Sequence, residues 1–144
     1  MDEPQTTAAR AVLFIRVNRS RPSIRHDQAA ARFVDMQRIA GHKLADQLNT
    51  TIVREYVEYG GGGDIGNRVI ILDMLGDLLV KHDKATYLLT QDWDRLARKT
   101  ADAKIIEQSI QEAGVQLVTV SDQLDSGPSW SLLNEVFPLP TRTA

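Results

Sequence analysis

The stretch AVLFIRV, residues 11–17, restricts the fold more than any other part of the chain. It is too short for a helix and lacks the polar alternation of a half-exposed strand. It therefore reads as a strand buried on both faces. Such a strand needs cover on two sides, and the rest of the sequence supplies it. Further strand signals lie at 52–57, 85–90 and 115–120. A helical pattern over 28–48 has Phe33, Met36, Ala40, Leu44 and Leu48 as its apolar stripe and Asn49 as its stop. A second runs over 67–82, capped by Asn67, with Leu72, Leu75 and Leu79 as its stripe. A third runs over 100–113 from Thr100 and ends at Gly114. The order β-α-β-α-β-α-β predicts an α/β fold: a three-layer sandwich with a mainly parallel four-stranded sheet. In such sheets function gathers beyond the carboxyl ends of the strands.

A length of 144 residues suits one domain, expected over 10–126 between short tails at 1–9 and 127–144. The chain has no cysteine, which excludes a disulfide scaffold, thiolate metal sites and cysteine nucleophiles. No apolar run approaches the ~18 residues of a membrane span. The acidic start, Met1-Asp2-Glu3-Pro4, does not resemble a secretory leader, so a soluble cytoplasmic protein is expected. Seventeen basic and 19 acidic residues give a net charge of −2, so any case for nucleic-acid binding must rest on local clusters.

Such clusters exist. Arg16, Arg19, Arg21 and Arg25 fall within ten residues that contain no carboxylate. Arg16 belongs to the apolar strand, where a guanidinium is costly unless paired. Arg95 and Arg98, one helical turn apart, follow the third strand, with Asp94 placed to orient one of them. Arg68 opens the second helix, after four consecutive glycines, Gly60 to Gly63. Arginine suits phosphate because its fork donates paired hydrogen bonds and stays charged. Convergence of these ends on one anion site is the functional reading; solvated loops with scattered charge pairs are the plain one. The glycines would let Arg68 move, so it is the arginine expected to stand apart without ligand. No Gly-Lys-Ser/Thr follows the glycines, so a nucleotide loop is not expected. His26, His42 and His82 lack ligand spacing. Neither a metal nor a cofactor is expected.

These residues resemble the resolvase/invertase family of serine recombinases. Arg16-Val17 resembles the family's opening Tyr-x-Arg-Val-Ser, and Asp94-Arg95-Leu96-Ala97-Arg98 its Asp-Arg-Leu-Gly-Arg. Glu55-Tyr56-Val57-Glu58 before the glycines, and Arg68 after them, resemble its mobile loop and arginine. In that family a serine attacks a DNA phosphodiester, forming a 5′-phosphoserine link while the 3′-hydroxyl leaves. The resemblance implies that Arg16, Arg68, Arg95 and Arg98 contact the scissile phosphate with Arg19 nearby. It also implies that Asp94 helps hold the arginines.

The sequence departs from the family pattern in three places. Asn18 occupies the nucleophile position, and an amide has no ionisable hydroxyl with which to attack phosphorus. Phe14 replaces the motif tyrosine. Only residues 127–144 come after the domain, so the family's long dimerisation helix is expected to be absent or very short, with no DNA-reading module. Ser20, with Ser23 further along the same loop, is the candidate for a substitute nucleophile if the loop repositions. A two-residue shift moves a side chain by roughly 6–7 Å, however, and in-line attack needs about 3–3.5 Å. The expectation is a catalytic domain inactive in this copy, a monomer or weak dimer that meets the DNA backbone weakly and without sequence preference. The alternative is a non-catalytic interaction or regulatory module that engages another recombinase-like protein.

Overall fold

A computed structural model describes residues 9–18, 28–60 and 65–122 of the chain. The elements run β1 (Ala9–Val17), α1 (Gln28–Gln47), β2 (Thr50–Tyr59), α2 (Val69–Leu79), β3 (Tyr87–Thr90), α3 (Trp93–Leu96), α4 (Thr100–Ala113) and β4 (Gln116–Thr119). A 3-10 turn, Ile65–Asn67, precedes α2. The strands form one sheet in the order β2-β1-β3-β4, and every neighbouring pair is parallel. The alternating order read from the sequence is the order of the fold, with the short helix α3 added between β3 and α4.

β1 sits inside the sheet and is covered on both faces, as its unbroken apolar run requires. Val12 and Phe14 pack with Ile71, Met74 and Leu78 of α2 and Ile106 and Ile110 of α4. Ala11, Leu13, Ile15 and Val17 point the other way, onto Val34, Leu44 and Ala45 of α1. Each fully buried Leu, Ile or Phe of this kind stabilises the fold by on the order of 1.5–3 kcal/mol. The result is three layers: α1, the sheet, and α2 with α4.

Two helices are rotated relative to the stripes read from the sequence. In α1 the buried residues are Ala30, Val34, Gln37, Gly41, Leu44 and Ala45, while Phe33 and Met36 face outward. The cause is close approach: a Cβ on Gly41 would lie 2.6 Å from Leu13 Cδ1. Small side chains at positions 30, 41 and 45 let the α1 backbone settle onto β1, and the larger apolar side chains turn away. In α2 the inward residues are Ile71, Met74, Leu75 and Leu78, and Leu72 and Leu79 are exposed. Arg68, not Asn67, holds the cap position of α2. Lys99, not Thr100, holds that of α4, and Gly114 ends α4 in the left-handed conformation.

One irregularity in the sheet decides which side chains reach its carboxyl edge. Ile52 pairs with Ala11, but Arg54 pairs with Val12, so Val53 is an extra residue in β2. A bulge of this kind reverses which face every later side chain takes. Beyond it, Glu55 faces α1 and forms a two-pronged pair with Arg38, at 2.8 and 2.7 Å. Arg54, Tyr56 and Glu58 face the α2 side. There the Tyr56 hydroxyl donates to Asp77, and Arg54 grips Asp83 at 2.6 and 3.2 Å.

The Arg54 guanidinium, hydrogen-bonded to Asp83, holds its carboxyl below the usual carboxylate value. The contribution of this pair is therefore present above the unfolded pKa of about 3.9. It is lost as pH falls through the lower folded value. Asp83→Asn should flatten the acid limb of stability below about pH 4 while changing little at neutral pH beyond the loss of one partly exposed pair. Urea denaturation across that range measures it. An unchanged acid limb would show that Asp83 does not set it.

Candidate phosphate-binding site

The site is built at the carboxyl edge of β1. Arg16 shares the face of Val12 and Phe14, and its register partner on β2 is Glu58. The residue is only 4% exposed, and its Nε lies 3.6 Å from Glu58 Oε1. Arg16 Nε and Nη2 nevertheless make no hydrogen bond. Burial pushes the Arg16 guanidinium below its ordinary range. The positive charges of Arg68, Arg98 and Arg95 push the same way, and Glu58 opposes them. Behind the site, α1 fixes the strand end. Arg16 N donates to Gln37 Oε1 at 3.3 Å, and Gln37 Nε2 donates back to Arg16 O at 2.9 Å.

Arg68 approaches from the start of α2. Its Nε donates to Glu58 Oε2 at 3.0 Å and its Nη2 to Glu58 Oε1 at 2.5 Å. Its Nη1 donates to Leu96 O at 2.5 Å, and Nη2 reaches Arg95 O at 3.4 Å. Arg68 therefore does not stand apart from the other arginines. Glu58 supplies a counter-charge that holds it buried, and its guanidinium ties β2 to α3.

The short helix α3 presents the remaining cations. Asp92 caps it, its carboxylate accepting from Arg95 N at 3.2 Å. The same carboxylate pairs with the Arg95 side chain at 3.9 Å, and Arg95 Nε is buried without a hydrogen-bond partner. Asp94 lies on the exposed side of α3 and enters none of the ion pairs among the described residues. Arg98 is exposed. The Asn18 amide, turned with its oxygen toward Arg98, accepts from Arg98 Nη2 at 3.2 Å and donates to Gly60 O at 3.3 Å. Gly60 takes a φ of 100°, a backbone conformation that favours glycine, and its N–H closes onto Val17 O at 3.0 Å. Arg16, Val17, Asn18, Phe33, Gln37 and Arg95 line one cavity of about 160 Å³.

The geometry places Arg16, Arg68, Arg95 and Arg98 at one sheet edge, with Asn18 among them. Arg19 and Ser20, with Arg21, Ser23 and Arg25, lie outside the described residues. Two participants escaped the sequence reading as site residues. Glu58 was visible only as part of a motif, and its inward face depends on the bulge. Gln37 could have been noticed as a polar residue on the buried side of α1. Among the described residues no cluster of His, Asp and Glu could hold a metal ion, and no helix is long and apolar enough to cross a membrane.

The model of the resolvase N-terminal domain matches residues 11–137. The chain belongs to the resolvase family. Solved structures agree on the fold. A resolvase family site-specific recombinase from Streptococcus pneumoniae superposes with a TM-score of 0.63 at 24% identity, over 89% of this chain and 85% of that one. The C-terminal catalytic domain of ISC1926 TnpA, an IS607-like serine recombinase, gives 0.62 at 17% identity, over 88% and 77%. The N-terminal catalytic domain of TP901-1 integrase gives 0.59 at 17% identity, over 88% and 95%. No curated protein matches the chain. The fold of this resolvase-family chain is that of serine recombinase catalytic domains.

In this resolvase domain, removing Glu58 would leave Arg16 and Arg68 buried without their counter-charge. Breaking a buried pair in this way costs about 3–5 kcal/mol. Glu58→Ala should be destabilised by that order in urea denaturation. Sulfate should return more stability to the variant than to the parent, because the anion takes the place of the carboxylate. A variant as stable as the parent would mean that the pair does not hold this edge together.

Proposed function

We propose that this domain engages a DNA phosphodiester through Arg16, Arg68, Arg95 and Arg98, with Arg19 as a further phosphate contact, and does not form a covalent link to it. The observation that carries the reading is Asn18. Its family-motif position is the nucleophile's, and its amide lies among these arginines, against Arg98 and the Gly60 carbonyl. Transfer of a phosphoryl group to protein requires an oxygen that loses its proton and attacks phosphorus as the 3′-oxygen leaves. The amide nitrogen has its lone pair delocalised into the carbonyl and cannot do this. What the side chains present can do is bind. The unpartnered Nε and Nη2 of Arg16 and Nε of Arg95 are donors that phosphate oxygens satisfy. Such contacts read no bases, so binding is weak, independent of sequence and lost as salt rises.

Incubation with labelled nicked or supercoiled DNA, followed by denaturing electrophoresis, should give no covalent adduct. An adduct mapped to Ser20 would restore an enzyme with a displaced nucleophile. Sulfate or phosphate should raise the melting temperature by binding the native state. Arg16→Ala and Arg95→Ala should each reduce that gain more than Arg25→Ala does. Equal effects from all three would remove the shared anion site.

A further inference from the structure

Three of the four clustered arginines are fixed by the fold. Arg16 is buried in β1, Arg68 is clasped by Glu58, and Arg95 lies on α3 beside the capping carboxylate of Asp92. Arg98 is not fixed in this way. It is exposed, falls in the connection between α3 and α4, and among the described residues pairs with no carboxylate. A long cationic side chain of this kind keeps its rotamer freedom, and a ligand that binds it must remove that freedom.

The Asn18 amide supplies the missing restraint, because it spans two partners. Its oxygen accepts from Arg98 Nη2 at 3.2 Å, while its nitrogen donates to Gly60 O at 3.3 Å. Gly60 is itself fastened to the end of β1, since its N–H donates to Val17 O at 3.0 Å. The bridge thus runs from the residue after β1, through the residue after β2, to the connection before α4. The chemical type of residue 18 matters here. A carboxamide carries a donor and an acceptor on separate atoms and no charge. A carboxylate has no proton for the Gly60 carbonyl and repels an anion. A hydroxyl offers both functions on one atom that sits closer to the backbone. One of the five N–H donors of Arg98 is used, so four remain for a ligand. Held in this way, Arg98 stands within electrostatic reach of Arg16. Burial, then Arg68, then Arg98 ahead of Arg95, push the Arg16 guanidinium below its ordinary range against the pull of Glu58.

We propose that Asn18 is a positioning residue for the anion site: by bridging the Gly60 carbonyl to the Arg98 guanidinium, its amide holds Arg98 ready beside Arg16 to meet a phosphate oxygen. This role rests on the phosphodiester reading above and deepens it. There Asn18 matters for the bond that an amide cannot form. Here it acts through Arg98 and leaves the anion itself to the arginines.

A double-mutant cycle separates this role from a direct contact with the anion. Inorganic phosphate binding is followed by calorimetry, and binding of a short labelled duplex is followed over a range of salt. Asn18→Ala should weaken both about threefold to tenfold, the scale of one hydrogen bond, with the melting temperature in anion-free buffer unchanged. The slope of duplex affinity against salt should match the parent's, because every cation is still present. Arg98→Ala should weaken binding and make that slope shallower by about 0.9, the value of one phosphate contact. Adding Asn18→Ala to Arg98→Ala should change nothing further. Parental affinity in Asn18→Ala, with Arg16→Ala still weakened, would overturn this role and leave the anion site standing. Losses that multiply in the double variant would overturn it too, by making Asn18 a contact in its own right. A parent that binds neither probe, or Arg16→Ala and Arg98→Ala variants that bind as the parent does, would overturn the phosphodiester reading and this role with it.

Discussion

The carboxylate of Glu58 holds together an edge that its neighbours would otherwise push apart. Arg16 and Arg68 are both almost fully buried, and each would oppose folding if its charge stood alone. Glu58 accepts two hydrogen bonds from Arg68 and lies beside Arg16. Through Arg68 it reaches the carbonyls of Leu96 and Arg95, so one acidic side chain couples β2, β1, α2 and α3. The compensation is incomplete. Glu58 satisfies the fork of Arg68 but leaves two nitrogens of Arg16 without acceptors, and Arg95 has a third. A buried donor in that condition costs about 1–3 kcal/mol. On the proposed reading, an oxyanion with several acceptors in tetrahedral array supplies what one planar carboxylate cannot. The proposed preference for an anion thus rests on a shortage of acceptors within a packed edge, in a chain whose net charge is slightly negative.

Glu58 is available for this role because of one inserted residue. Without the extra Val53, residues 54, 56 and 58 would face α1, and Glu55 would turn toward α2. The bulge sorts the charges of β2 between two layers. Glu55 goes to Arg38 on α1, Arg54 to Asp83 below α2, and Glu58 to Arg16 and Arg68. Parallel ladders tolerate such bulges rarely. Here it brings a carboxylate to the only face where the two buried guanidinium groups can share it.

Burial and contact differ in how legible they are in the sequence. The buried strand was plain from AVLFIRV, because no other element has seven residues with one interruption and no alternation. Arg16 stood out for the same reason, as a charge where charge is expensive. The order of elements came from period and spacing, and with it the adjacency of β1 and β3 that brings Arg16 near Arg95. Contact-dependent details were not legible. The inward stripe of α1 is set by how closely Gly41 approaches Leu13, so counting large apolar residues selected Phe33 and Met36, which face outward. The partner of Arg68 depends on a bulge that no local pattern announces. At α3, two acidic residues flank Trp93, and only the helix start decides that Asp92, rather than Asp94, caps the turn and meets Arg95.

The same division separates binding from bond-making on this scaffold. The groups that gather at the sheet edge are placed by burial: Arg16 by its strand, Arg68 by Glu58, and the backbone of Arg16 by Gln37. Altering any of them disturbs packing, hydrogen bonds or paired charge. Residue 18 is different. It is exposed, lies past the last residue of β1, and among the described residues its amide hydrogen-bonds Arg98 and the Gly60 carbonyl. On the proposed reading this is the nucleophile's position, and exchanging a hydroxyl for an amide there disturbs no core packing, since both side chains are polar and the position is exposed. On the proposed reading, a chain of this fold loses covalent chemistry in one substitution while keeping Arg16 and Arg68, because these two are held by burial and by Glu58 and not by the residue they would serve.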